Sequence, residues 1–319
     1  MDIYHGVHDL PARAGLGPTI ALGNFDGVHR GHQAVIDAAR ALAPEAPLSV
    51  ATFDPHPRSF FNPLSEPFVL TPPAEKARKL KELGIERMYV LDFDEALSSM
   101  TPEAFVAEIL VEALGISAVA VGGDFRFGAK RAGDAALLKR LGQEHGFAVS
   151  ALDAVADEDG ALFSSSSARA ALRDGKPQDA TAILGEPHRI RGVVEKGDQR
   201  GRTLDFPTAN VAIEGLLAPK FGVYAIEAHI LNGPHEGVVS GVANLGMRPT
   251  FEKTVPILEA HLFDFEGDLY GAEIAVLLIS FLRPEQKFSG IDNLRAQITE
   301  DASRARALLR TGPLPLSSL

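Results

Sequence analysis

The feature that most restricts this chain is a change of pattern near Gly185. Before it, short apolar runs alternate with amphipathic stretches. The runs at 20–25, 48–53, 88–93, 118–122 and 148–152 read as strands, and 32–42, 74–83, 102–114 and 134–145 read as helices. Strands that alternate with helices predict a parallel sheet covered on both faces. After Gly185 the helical pattern stops. Runs at 189–195, 208–213, 223–231, 237–244, 256–265 and 273–281 follow one another through Gly- and Pro-containing turns, which predicts a small six-stranded antiparallel barrel. A final helix is expected over 291–309, and 172–187 reads as the junction. The chain therefore divides into an α/β domain, 1–185, and a β domain, 186–319. At 319 residues it is long enough for two cores. There is no internal repeat.

Composition narrows the function classes. The chain carries 42 acidic and 31 basic residues, a net charge of -11, which argues against nucleic acid or an anionic membrane surface as a main partner. It has no cysteine, so disulfides, thiolate metal sites and thiol catalysis are excluded. Residues 1–17 show no basic start followed by an apolar run, and the most apolar stretch, 105–123, is interrupted by Glu108 and Glu112. These features predict a cytoplasmic protein. Self-association is not legible.

The first strand runs into Gly23-Asn24-Phe25-Asp26-Gly27-Val28-His29-Arg30-Gly31-His32, with a helix starting at its end. Parallel sheets bind ligands beyond the C-terminal ends of their strands, and a helix N-terminus there offers free N–H groups to phosphate. Gly27 and Gly31 let the backbone approach an anion. His29 and His32, three apart, share one side of the first turn and can stabilise charge developing at phosphorus. No G-x-x-x-x-G-K-[ST] loop and no G-x-G-x-x-G fingerprint is present. An ATP user built on this sequence must hold phosphates by another device.

That decapeptide resembles the signature of the HxGH nucleotidyltransferases, and more closely the adenylyltransferase half of bacterial FAD synthetases. Thr52-Phe53-Asp54-Pro55-His56-Pro57-Arg58, Gly122-Gly123-Asp124-Phe125-Arg126-Phe127-Gly128 and Ser164-Ser165-Ser166-Ser167-Ala168-Arg169 resemble that family too, the last departing from its pattern at Ser166 and Ala168. The resemblance implies that FMN phosphate attacks the α-phosphorus of ATP and that pyrophosphate leaves. It implies His29, His32 and Arg169 as the residues that orient phosphates and stabilise the transition state, with Mg²⁺ assisting. It places Gly23, Phe25, Gly27, Gly31, Asn62, Asp124, Arg126, Ser165 and Ser166 around the nucleotide. For Phe125 and Phe127, stacking on flavin and packing in the core are both open.

In the second half, Gly201-Arg202-Thr203-Leu204-Asp205-Phe206-Pro207-Thr208-Ala209-Asn210 places Thr208 and Asn210 two apart, on one side of a strand. A hydroxyl and an amide oxygen suit Mg²⁺, and a plain turn into a strand is the other reading. Residues 241–250, 258–265 and 267–271 resemble the riboflavin kinase domain in order and wording. The resemblance implies Glu259 as the base that takes the proton from the ribityl 5′-hydroxyl as it attacks the γ-phosphate of ATP. It also implies phosphate-covering loops at 196–198 and at Gly201 and Arg202. Arg283 is either a flavin contact or an ion pair with the final helix. Asp205 stands where the family usually has Gly, which leaves open a chain whose kinase half is silent. Taken together, the chain resembles the bifunctional riboflavin kinase/FAD synthetase family from about Ile20 to Gln297. That implies riboflavin, FMN, FAD and ATP as substrates and products, and Mg²⁺ as cofactor.

Overall fold

Leu22, Val50, Ala51 and Val119–Val121 have side chains with nowhere to go but inward, and a central parallel strand buries both of its faces. The computed structural model, which describes residues 1–7, 10, 15–63, 66–196, 206–249 and 254–310, shows such a sheet. Its strands are β1 (Asp2–His5), β2 (Thr19–Leu22), β3 (Leu48–Asp54), β4 (Arg87–Asp92), β5 (Ala118–Gly122) and β6 (Ala148–Leu152). They lie in the order β1-β4-β3-β2-β5-β6, every pair parallel. Ile20 and Leu22 face a core built with Phe105, Leu110 and Leu138. Ala21 faces the other way, onto Val35, Ile36 and Leu80 of the helices Arg30–Leu42 and Pro73–Glu82. The β2 and β3 ends therefore deliver the turn after Leu22 to the C-terminal rim of the sheet.

The helix predicted over 102–114 starts and stops as its punctuation requires. The Thr101 hydroxyl accepts from the Ala104 N–H at 3.1 Å, and Gly115 takes φ 59°. Its interior differs from the expected α-helix: Phe105–Ala113 is wound as a π-helix, with Leu114 N–H donating to the Ile109 carbonyl. The buried pairs Phe105-Val106 and Ile109-Leu110, four residues apart, form the face that packs into the core. β1 is a second difference. Its Asp-Ile-Tyr-His carries no apolar run because it is an edge strand, mostly exposed, paired only with β4.

The second sheet comprises β7 (Arg189–Val193), β8 (Ala209–Ala212), β9 (Gly222–Ile230), β10 (Gly237–Pro249), β11 (Thr254–Leu262) and β12 (Glu273–Arg283). The order is β7-β12-β9-β10-β11-β8, all antiparallel. The two outer members meet where Glu195 N–H donates to the Asn210 carbonyl at 2.9 Å, so the sheet curls back on itself. One face fills the interior with Val211, Tyr224, Ile226, Leu245, Leu258 and Val276. The other packs Val223, Val242, Phe263 and Leu282 under Ala302 and Ala305 of the terminal helix Ile291–Arg310. Arg283 fastens that helix with a two-pronged ion pair to the buried Asp301, Nε–Oδ1 3.0 Å and Nη2–Oδ2 2.7 Å.

The region read as the junction is helical. Ser165–Asp174 and Pro177–Leu184 bury Leu172, Ala180 and Leu184 against Leu70 and Leu217. By contacts, the chain separates into a first unit, 1–66 with 73–164, and a second, 67–72 with 165–319.

Candidate active sites

The first site grows from the turn between β2 and the helix Arg30–Leu42. Phe25 and Val28 take φ 49° and 44°, and Gly27 between them takes 85°. A left-handed φ at a β-branched residue such as Val28 is sterically costly, of order 1–3 kcal/mol, and persists only where surrounding contacts hold it. Both side chains are fully buried, which supplies part of that hold. The turn leads directly into His29, the N-cap of the helix, whose Nδ1 accepts from the His32 N–H at 3.3 Å. A neutral imidazole that accepts at Nδ1 carries its proton on Nε2, so His29 presents an N–H donor on that side. The two histidine rings stack with centroids 3.6 Å apart, and the Phe25 ring lies 4.8 Å from that of His32. Two imidazoles are thus fixed side by side over a helix N-terminus, the arrangement an anion in transfer requires.

Gly31 is needed here for space. A Cβ on it would stand 2.7 Å from the Phe163 carbonyl and 3.0 Å from His29 Nδ1. Gly31→Ala is therefore expected to push the histidine out of its cap. The predicted result is an overpacking loss of about 1–3 kcal/mol in thermal unfolding, together with a fall in FAD formation measured from FMN.

The second site lies on the outer face of the β7–β12 sheet. Asn210 on β8 is directly opposite Glu259 on β11, which is opposite Asn244 on β10. Facing residues in an antiparallel ladder have Cα atoms about 4.5–5.5 Å apart and side chains on one face. Asn210 is buried, its amide N–H₂ donates to the Thr208 carbonyl at 3.4 Å, and its Oδ1 has no hydrogen-bond partner among the described residues. A buried amide oxygen left unmatched is costly, and it is the kind of ligand a hard cation takes. Thr208 sits just before β8, and Glu259 is half-buried beside this row. Asn244 donates to Glu285 Oε1 at 3.4 Å, and Gly246 leaves room for that carboxylate, which a Cβ would meet at 2.2 Å.

Residues 15–167 match the family FAD synthetase, and residues 184–309 match the family riboflavin kinase. Among similar curated proteins, the bifunctional riboflavin kinase/FMN adenylyltransferase of Escherichia coli K12 is 40% identical over 96% of this chain and 97% of its own length. The chain belongs to the bifunctional riboflavin kinase/FMN adenylyltransferase family. The protein of the same description from Bacillus subtilis is 38% identical over 90% of both chains. A crystal structure described as a macrolide-efflux protein from Streptococcus pneumoniae superposes with a TM-score of 0.84 at 30% identity, covering 96% of this chain and 99% of that one. The chain is thus a transferase with a kinase half and a nucleotidyltransferase half, dependent on ATP. Among the described residues, no helix is long and apolar enough to cross a membrane.

The family's two halves coincide with the two sites: the histidine turn falls within the first match and the Asn210–Glu259 row within the second. The other residues singled out in the sequence are placed as follows. Asn62 ends the short helix Pro57–Phe61 and is exposed, as are Asp124 and Arg126. Phe127 is a core residue, wedged against Phe105 and so close to Gly133 that a Cβ there would collide with it; Phe125 stacks on it, half-buried. Gly23 has only ordinary contacts around its Cβ position. Ser165 opens the helix Ser165–Asp174 and Ser166 is exposed on it. Arg169 belongs to the second unit, where it is buried, donates from Nε to the Phe68 carbonyl at 2.8 Å and lies over the Phe68 ring. Arg283 makes the ion pair with the terminal helix already described. Gly201, Arg202 and Asp205 lie outside the described residues.

Two residues at the first site were not singled out in the sequence. Lys76 sends its ammonium to the Asn24 carbonyl at 2.9 Å and to Thr52 Oγ1 at 3.3 Å, and Lys79 reaches the Gly27 carbonyl at 2.9 Å. Burial pulls the Lys76 ammonium below the ordinary lysine range, against the opposing pull of the Asp26 and Asp54 charges. Ala74-Glu75-Lys76-Ala77-Arg78-Lys79 reads as a solvated helix face, so nothing local marks either lysine.

Proposed function

We propose that the second unit phosphorylates riboflavin at the Asn210–Glu259 row, that the histidine turn adenylylates the FMN so formed, and that both reactions run in the cytoplasm with Mg²⁺. The observation that carries the reading is the buried, unmatched Oδ1 of Asn210 facing Glu259 across one strand pair. Asn210 Oδ1 and the Thr208 hydroxyl would hold the cation. When bound, Mg²⁺ neutralises phosphate charge. Glu259 takes the proton of the ribityl 5′-hydroxyl while that oxygen bonds to the γ-phosphorus, and ADP leaves. At the first site the FMN phosphate oxygen bonds to the α-phosphorus of a second ATP and pyrophosphate leaves. His29 donates from Nε2, and the helix N-terminus holds the phosphates. Arg169 is assigned a phosphate-holding role by its motif, and Asn62, Asp124, Arg126, Ser165 and Ser166 contact the nucleotide. Catalytic boundaries at 1–185 and 186–319 accompany this reading.

A chromatographic assay with riboflavin, ATP and Mg²⁺, repeated from FMN and repeated with chelator, tests it. The expected result is FMN and then FAD from riboflavin, FAD from FMN, and neither with chelator. FAD from FMN but nothing from riboflavin overturns the kinase assignment and points to Asp205.

A further inference from the structure

The turn that carries the histidines is gripped from outside by the helix Pro73–Glu82. Lys76 and Lys79 are three apart and so share a face of that helix. Their targets are particular carbonyls. Lys76 holds that of Asn24, directly before Phe25, and Lys79 holds that of Gly27, directly before Val28. The carbonyl of one residue belongs to the rigid peptide plane whose rotation sets φ of the next. The two ammonium groups therefore fix the planes that give Phe25 and Val28 their left-handed φ of 49° and 44°. Thr52 Oγ1 closes the arrangement by donating to the same Asn24 carbonyl at 3.0 Å while lying 3.3 Å from Lys76 Nζ. The consequence reaches the rings directly. Phe25 packs on His32, and Val28 is followed by His29, whose cap and stack define the site.

We propose that Lys76, aided by Lys79, is a positioning residue for adenylyl transfer, acting through the backbone of the Asn24–Val28 turn on His29 and His32. The inference rests on the proposed role of those histidines. The charges of Asp26 and Asp54 face the ammonium and oppose the effect of its burial.

The test is Lys76→Met, which keeps the stem and removes the donors. In steady-state assays the kcat for FAD formation from FMN is expected to fall about 10–100-fold, with KM for ATP changed less than about threefold, as for a small displacement of groups that act in the transition state. FMN formation from riboflavin by the same sample is expected to stay at the parent rate, which certifies the protein. In NMR spectra the ring protons of His29 and His32 are expected to lose the shifts that stacking imposes. Lys76→Arg, which retains donors, is expected to recover part of kcat. Unchanged FAD kcat overturns the proposal, and so does a loss of kcat with histidine ring shifts unmoved. If Lys76→Met does not fold, Lys79→Met is read instead by the same two measurements and the same criteria. His29→Asn run alongside separates the two ideas: its retention of FAD formation sinks the histidine reading, whereas its loss with Lys76→Met unaffected sinks the lysine inference alone.

Discussion

Glu259→Gln is expected to lower the kcat for FMN formation from riboflavin by about 10²–10⁴-fold, the range that a general base supplies. Glutamine keeps the length and planarity of the side chain and its place on β11, so the ladder with Asn210 and Asn244 is expected to survive. What it loses is a proton acceptor. The side chain is half-buried in a row whose neighbour, Asn210, already has an unmatched oxygen. The measurement is internally controlled: FAD formation from supplied FMN draws on the histidine turn of the other unit and is expected to be unchanged in the same preparation. A Glu259→Gln enzyme that phosphorylates riboflavin within about threefold of the parent would show that the proton leaves by another route.

Much of this architecture is legible in the sequence because it is written in local periodicity. The strands at Ala118–Gly122 and Ala148–Leu152 coincide with the apolar runs that mark them, and the Thr101 cap and Gly115 stop lie where their chemistry requires. β1 is not legible, since an exposed edge strand needs no apolar alternation to be held by β4. β10 extends to Pro249, beyond the run ending at Asn244, because its partner strand β11 continues to pair and Gly246 admits Glu285 over it. The chemical residues divide the same way. His29 and His32 announce themselves by spacing and by a Gly-rich setting. The row Asn210–Glu259–Asn244 depends on register between strands far apart in the chain, so the sequence could offer its members but not their alignment. Lys76 and Lys79 act on carbonyls 52 residues earlier in the chain, and a lysine on a charged helix face looks the same whether it meets water or a backbone oxygen.

His29→Asn carries the second large effect, and the choice of asparagine decides what the result means. His29 does two things at once: it caps the helix Arg30–Leu42 through Nδ1, and it brings an imidazole to within stacking distance of His32. Alanine would remove both, and loss of the cap alone costs about 0.5–2 kcal/mol. Asparagine is among the best N-caps, so the helix N-terminus and its dipole are expected to remain while the imidazole donor is lost. If the histidine stabilises charge on the transferring phosphate, FAD formation from FMN is expected to fall about 10²–10³-fold, the scale for removing one preorganised donor. FMN formation from riboflavin and the thermal midpoint are expected to hold. A comparable fall in His32→Asn, whose ring is stacked on the first, would place both imidazoles on the reacting phosphate. A fall in His29→Asn with none in His32→Asn would leave His32 as packing between His29 and Phe25, a role its ring contacts on both sides also satisfy.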